Sequence, residues 1–247
     1  SKGIVHIYIS PEENPNEAVS FLTERLTAEG IAHEIDENVC KNADWENNWK
    51  KYFKPMPVGE RLLIRPIWEQ EYDAGDRAVL HLEPGLAFGS GTHDTTRLCL
   101  ESLEKYAHEG KSILDVGCGS GILSIAGLLL GADSAVGVDI DALAVKTAQE
   151  NGRTNGFDEP KFTVLKGSLT DKVTGKFDII VANIVADIII VLCRDVKKYL
   201  NDGGVFITSG IIEPREQDVL AAFAENGIEV VERHESGGWL CFEARVK

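Results

Sequence analysis

No apolar run in the chain approaches the roughly 20 residues of a membrane-spanning helix, and the N-terminus shows no signal-peptide pattern. The expected location is therefore the cytoplasm, with no membrane partner. Cysteine is sparse. Cys40, Cys99, Cys118, Cys193 and Cys241 are odd in number and form neither a C-x-x-C pair nor a cluster with histidine. This argues against a disulfide framework or a metal centre, and for free thiols in a reducing compartment. Positive charge is also short: 25 Lys and Arg against 40 Asp and Glu give a formal net charge of −15 at pH 7. Phosphate recognition draws on clustered Lys and Arg, so direct nucleic-acid binding is disfavoured and a basic partner suits better. Surplus acids that merely keep the surface soluble are an equal reading. Met56 is the single methionine and position 1 is serine, so the natural chain is expected to start upstream. Core-forming residues are in ordinary supply: 43% hydrophobic content in 247 residues provides for one large domain plus a small one.

The run ILDVGCGSGILSIAG at 113–127 drives a short apolar strand into a glycine-dense turn that a helix-forming segment leaves. Gly117, Gly119 and Gly121 follow G-x-G-x-G, whereas the dinucleotide fingerprint G-x-G-x-x-G needs its third glycine where Ile122 stands. The cradle therefore reads as one for S-adenosylmethionine before NAD. Glycines here let the main chain approach a ligand while the helix start presents unpaired N–H groups. Asp139 closes the next apolar run, one βαβ step on, where a carboxylate accepts hydrogen bonds from ribose hydroxyls. Asp141, directly before ALAVKTAQEN, fits the helix N-cap.

GIVHIYI, PNEAVSFLTERLTAEG and IAHEIDENV read as strand, helix and strand at the N-terminus, expected to be part of a truncated α+β module because two strands do not make a stable sheet. Residues 41–75 read as a connector in which Trp45, Trp49 and Phe53 share one helical face, for interdomain packing or for substrate docking. From 78 onward a strand, a Gly/Ser/Thr-rich loop and a helix lead into an alternation: ILDV, AVGVD, FTVLK, FDIIVAN, VFITS, IEVVER and LCFEARV, with helices between the earlier members. Alternation of this kind predicts an α/β fold with a parallel sheet covered on both faces. Only HESGGW separates the last two strands, so they are expected to form an antiparallel hairpin.

The loop EPGLAFGSGTHDTT, then DVGCGSGILSIA, VGVDID with AVKTAQEN, and FDIIVANIVA resemble, in order and spacing, the ribosomal protein L11 methyltransferases, the PrmA family. The resemblance covers 41–247 and is weaker upstream. It implies a class I methyltransferase (Rossmann-like) domain at 76–247, a seven-stranded sheet ending in the antiparallel hairpin. It further implies an interdomain connector at 41–75 and a partial substrate-recognition module at 1–40 that lacks its upstream half. The implied activity is S-adenosylmethionine-dependent methylation of lysine side-chain and N-terminal amines on a large-subunit ribosomal protein. Family cofactor contacts carried over by motif fall on Thr96, Gly117, Asp139 and Asn183. Two positions depart from the family: Asp94 replaces a proline and is expected to cap the helix instead, and Ala142 replaces another at little expected consequence.

For the chemistry so implied, Asn183 is the expected catalytic residue, its carbonyl orienting the acceptor amine; a helix cap is the bland alternative. Asp115 and Gly119 join the expected cofactor contacts, with Asp115 facing the cofactor ammonium or else tying down local backbone N–H groups. His93 is a proton acceptor or a loop anchor, and Ser168 leaves the adenine contact unassigned. Competing functions are a methyltransferase of the same fold acting on a small molecule or another protein, a cofactor-binding module without turnover, and, disfavoured by glycine spacing, an NAD-dependent oxidoreductase.

Overall fold

The computed structural model describes residues 26, 30–32, 54–69, 72–83 and 93–247. The expected N-terminal strand–helix–strand falls almost entirely outside the described residues, as do Trp45, Trp49, Phe53, Cys40 and the loop at 84–92. The chain divides into two compact units, Ser1–Tyr52 and Phe53–Lys247. No helix among the described residues is long and apolar enough to cross a membrane.

The second unit begins with a small sheet, β1 (Met56–Val58), β2 (Leu62–Pro66) and β3 (Ala78–Leu82), in which β1 and β2 pair antiparallel and β2 and β3 parallel. There follow α1 (Asp94–Tyr106), β4 (Ser112–Val116), α2 (Ile122–Leu129), β5 (Ser134–Asp139), α3 (Ala142–Thr154), β6 (Phe162–Lys166), β7 (Phe177–Asn183) and α4 (Ala186–Tyr199). The chain ends with β8 (Leu200–Ile212), a 3-10 turn at Glu213–Arg215, α5 (Glu216–Glu225), β9 (Ile228–Ser236) and β10 (Trp239–Val246). The larger sheet has the order β6-β5-β4-β7-β8-β10-β9, parallel except where β10 runs antiparallel to both neighbours. This is the class I methyltransferase sheet with its closing hairpin.

Neighbouring residues on each strand serve opposite cores, as the period of two requires. Ile113, Ile179, Ile207 and Cys241 face the layer of α1, α2 and α3, whereas Leu114, Ile180, Phe206 and Phe242 face α4 and α5. Covering both faces explains why the strands read as continuous apolar runs. On the second face Phe223 of α5 lies 5.9 Å, centroid to centroid, from both Phe206 and Phe242.

One buried charge joins helix to hairpin. Glu243 of β10, 0% exposed, accepts from Tyr106 Oη at 2.6 Å, His234 Nε2 at 2.8 Å and Lys105 Nζ at 2.9 Å. Burial raises its pKa, but hydrogen bonds from Tyr106, Lys105, Ser102 and His234 outweigh that and hold the carboxyl below its usual range. A group whose folded pKa is depressed contributes stability above its unfolded pKa and loses it as pH falls through the folded one. Glu243→Gln is therefore expected to lower unfolding free energy by about 2–3 kcal/mol at pH 7, because partners of a buried charge lose their acceptor. Urea unfolding of parent and variant at pH 7 and pH 3.5 checks this; the gap narrows at the lower pH, and a pH-independent gap contradicts it.

Candidate active site

Open parallel sheets bind ligands beyond the carboxyl ends of their strands, at the point where strand order reverses. Here that point lies between β4 and β7, and the glycine turn leaves the end of β4 beside it. Gly117, Gly119 and Gly121 have φ of 74°, 53° and 79°. The turn is pinned to β5 by Gly117 and Cys118 N–H groups, which both donate to the Val138 carbonyl at 2.8 and 3.1 Å. A Cβ added at Gly117 meets Ile184 Cγ2 at 2.5 Å, so the main chain passes where no side chain fits.

Asp139 ends β5 with both carboxylate oxygens engaged by backbone: Gly119 N–H donates to Oδ2 and Asp141 N–H to Oδ1, each at 2.9 Å. Its head group is fixed against the turn and half-buried. Asp141 caps α3 by accepting from Leu143 N–H at 2.9 Å, the role its sequence position indicates.

Asp115 is wholly buried. Ser124 donates to its Oδ2 through backbone N at 3.1 Å and Oγ at 2.8 Å, tying the end of β4 to the first turn of α2. Its Oδ1 is buried with no hydrogen-bond partner among the described residues. Burial, opposed by the Ser124 bonds and reinforced by Asp139, pushes the Asp115 pKa up to about 7. An acceptor left over beneath a turn that has no room for a Cβ at Gly117 fits a ligand with a cationic end.

Asn183 and Thr96 stand 87 positions apart in sequence, and the fold joins them. Asn183 Nδ2 donates to Thr96 Oγ1 at 3.2 Å, and Thr96 is 1% exposed. Asn183 does not cap α4, whose N-cap is Val185 with no side-chain bond. With its amide nitrogen committed to Thr96, the side-chain carbonyl of Asn183 is left to accept from another donor.

The expected cap at Asp94 is corrected. His93 is the N-cap of α1, its Nδ1 accepting from Thr95 N–H at 3.3 Å and lying 2.8 Å from Thr95 Oγ1. Asp94 already has helical geometry, and its carboxylate instead accepts from Arg97 Nη2 at 2.9 Å and Ser236 Oγ at 2.8 Å. These bonds hold its pKa below the usual carboxylate value and clasp the start of α1 to the β9–β10 turn. The His93 ring also meets Trp239 edge-on, centroids 4.9 Å apart. Cys118 is buried, and its thiol is held well above its ordinary pKa by desolvation first and by Asp115 and Asp139 next, so it is not a nucleophile.

Sequence reasoning missed two residues at this edge. Trp239, opposite Ile212 in the β8–β10 ladder, brings a half-buried indole beside His93. Asn151, on the interior of α3, donates to the Ser120 carbonyl at 2.9 Å and accepts from Glu83 N–H at 3.1 Å, bracing the glycine turn. An asparagine within a helix, where its propensity is poor, is the signal that could have pointed to a bridging role.

The model of the family described as Ribosomal protein L11 methyltransferase (PrmA) matches residues 2–247. A ribosomal protein L11 methyltransferase of Clostridium perfringens (strain SM101 / Type A) is 44% identical over 252 residues, covering 99% of this chain and 79% of that protein. One of Clostridium botulinum (strain Alaska E43 / Type E3) is 43% identical over 250 residues, with the same coverage. The solved ribosomal protein L11 methylase of Lactobacillus delbrueckii subsp. bulgaricus is 35% identical with a TM-score of 0.74, over 79% of this chain and 100% of that one. A putative SAM-dependent methyltransferase from Streptococcus mutans, 14% identical with a TM-score of 0.54 over 63% of this chain and 50% of that one, shares the fold. The chain belongs to the ribosomal protein L11 methyltransferase family.

Proposed function

We propose that this methyltransferase modifies lysine side-chain and N-terminal amines of a large-subunit ribosomal protein, with Asn183 as the residue that orients the acceptor. The observation that carries this reading is the Asn183–Thr96 bond, which commits the amide nitrogen of a half-buried residue at the carboxyl end of β7 and leaves its side-chain carbonyl to accept from another donor. The cofactor is S-adenosylmethionine, which when bound supplies an electrophilic methyl group on a sulfonium.

Asp139 would hold the ribose hydroxyls on lone pairs that its two backbone bonds leave over, and the backbone at Gly117 and Gly119 would line the ligand. Asp115 would supply the negative charge that balances the cofactor's cationic end. Thr96 acts by holding the Asn183 amide in one orientation. The acceptor amine, with an unperturbed pKa of about 10.4, must shed a proton before it attacks, and entry into a partly desolvated site favours the neutral form. The Asn183 carbonyl then accepts one of its N–H bonds and aims the lone pair. Positioning of this kind supplies much of the rate in a displacement that uses no protein nucleophile. His93, committed to capping α1, is a structural anchor in this scheme. Residues 1–40 serve as the recognition module, 41–75 as the connector and 76–247 as the transferase domain. The net charge of −15 suits a basic protein substrate.

Asn183→Ala is expected to lower kcat for methyl incorporation into ribosomal protein L11 by about 100-fold or more, the scale of one positioned polar contact at the reacting centre. Affinity for S-adenosylhomocysteine should fall by calorimetry far less than turnover does, since Asn183 is one cofactor contact among several. Turnover equal to the parent removes Asn183 from the reaction. Methyl transfer by the parent to small amines but not to the ribosomal protein replaces the proposed substrate class.

A further inference from the structure

We infer that cofactor capture expels a proton, held on Asp115 beneath the glycine turn until the cationic end of the ligand arrives. The inference rests on the S-adenosylmethionine site proposed above and concerns how that site is filled.

Asp115 is 0% exposed, and its two oxygens are unequal: Oδ2 takes both bonds from Ser124, whereas Oδ1 is buried with none. A carboxylate ion so placed leaves charge on a buried oxygen that no donor among the described residues satisfies, a costly arrangement. The groups around it do not help the ion. Asp139, at the end of β5, is a like charge; Cys118 in the turn and Cys99 on α1 are buried thiols whose own pKa values are pushed well above the ordinary by burial and neighbours, Asp115 among them. Among the described residues Ser124 on α2 is the one donor, and Cys241 engages Cys99 rather than Asp115. With the pKa at about 7, roughly half of the molecules carry the proton at neutral pH. A ligand ammonium placed over the turn supplies the opposite charge that the surrounding groups lack. The O–H bond of the Asp115 carboxylic acid then breaks, its proton leaves to buffer, and a carboxylate–ammonium pair remains.

The test is calorimetric titration of the full chain with S-adenosylhomocysteine in phosphate and in Tris, buffers of unlike ionisation enthalpy. At pH 7 the two apparent enthalpies should differ by the release of about half a proton per site, and that release should vanish towards pH 8.5, where only the ligand's own ammonium still exchanges protons with buffer. By the same linkage the dissociation constant rises about tenfold from pH 8 to pH 6. Asp115→Asn, which keeps an acceptor for Ser124, should bind more weakly with neither the release nor the pH dependence. Buffer-independent enthalpy at pH 7 in the parent overturns the inference, as does undiminished release in Asp115→Asn. Should that variant not fold, the parent's buffer comparison decides. Absence of binding at pH 8.5 overturns the cofactor reading itself, a result distinct from binding without proton exchange.

Discussion

Asp139→Ala is expected to raise the dissociation constant for S-adenosylhomocysteine by about 100-fold or more, with little loss of the folded state. Two charge-assisted hydrogen bonds to vicinal hydroxyls are worth about 3 kcal/mol together after solvent competition, and each 1.4 kcal/mol is tenfold. The variant also loses the acceptor that fixes the Gly119 and Asp141 N–H groups, so the turn itself becomes less ordered. Asp139→Asn separates the two contributions, because its amide keeps one backbone contact while losing the charge. Calorimetric titration checks both variants; binding within threefold of the parent by Asp139→Ala means the ribose is held elsewhere.

The second large effect is expected at Gly210, two residues before the end of β8. Its φ is 89°, and a Cβ there meets the Ile184 carbonyl oxygen, with the Ile184 carbonyl carbon at 2.8 Å and nitrogen at 3.0 Å. These are backbone atoms, which do not swing aside as a side-chain end does. Gly210→Ala should destabilise the protein by about 3 kcal/mol or more, from the left-handed backbone and the overlap together. Relief requires Ile184 to move, which carries the adjoining Asn183 away from Thr96. Chemical denaturation measures the first effect and methyl incorporation by the residual folded protein the second. A variant with parental stability would show that β8 and the β7 turn separate freely.

The sheet and much of the candidate site were legible because they rest on local pattern. ILDVGCGSG announces a strand entering a turn, and VGVDID places an acid at the next strand end with a helix cap two residues on. The Asn183–Thr96 pair was legible as two residues, but not as a contact, since nothing local encodes a meeting across 87 positions. Asp94 was misread for a physical reason. Both His93 and Asp94 can cap a helix, and the choice fell to Arg97 and Ser236, the latter brought in by a hairpin far along the chain. Glu243 was hidden in LCFEARV because a strand covered on both faces has no polar side to betray a buried acid. The strand β1 escaped because three residues around a proline carry no period.

Four cysteines, Cys99, Cys118, Cys193 and Cys241, are buried as free thiols, distributed over both cores and the glycine turn. A buried thiol meets an alkylating reagent only when its surroundings open, so the modification rate of each becomes a clock for local unfolding at its own address. Cys118 times the breathing of the cradle, Cys193 that of the layer under α4, and Cys99 with Cys241 that of the layer beneath α1. The chain thus carries its own set of solvent-access timers, and ligand binding at the turn would be read as the slowing of one of them.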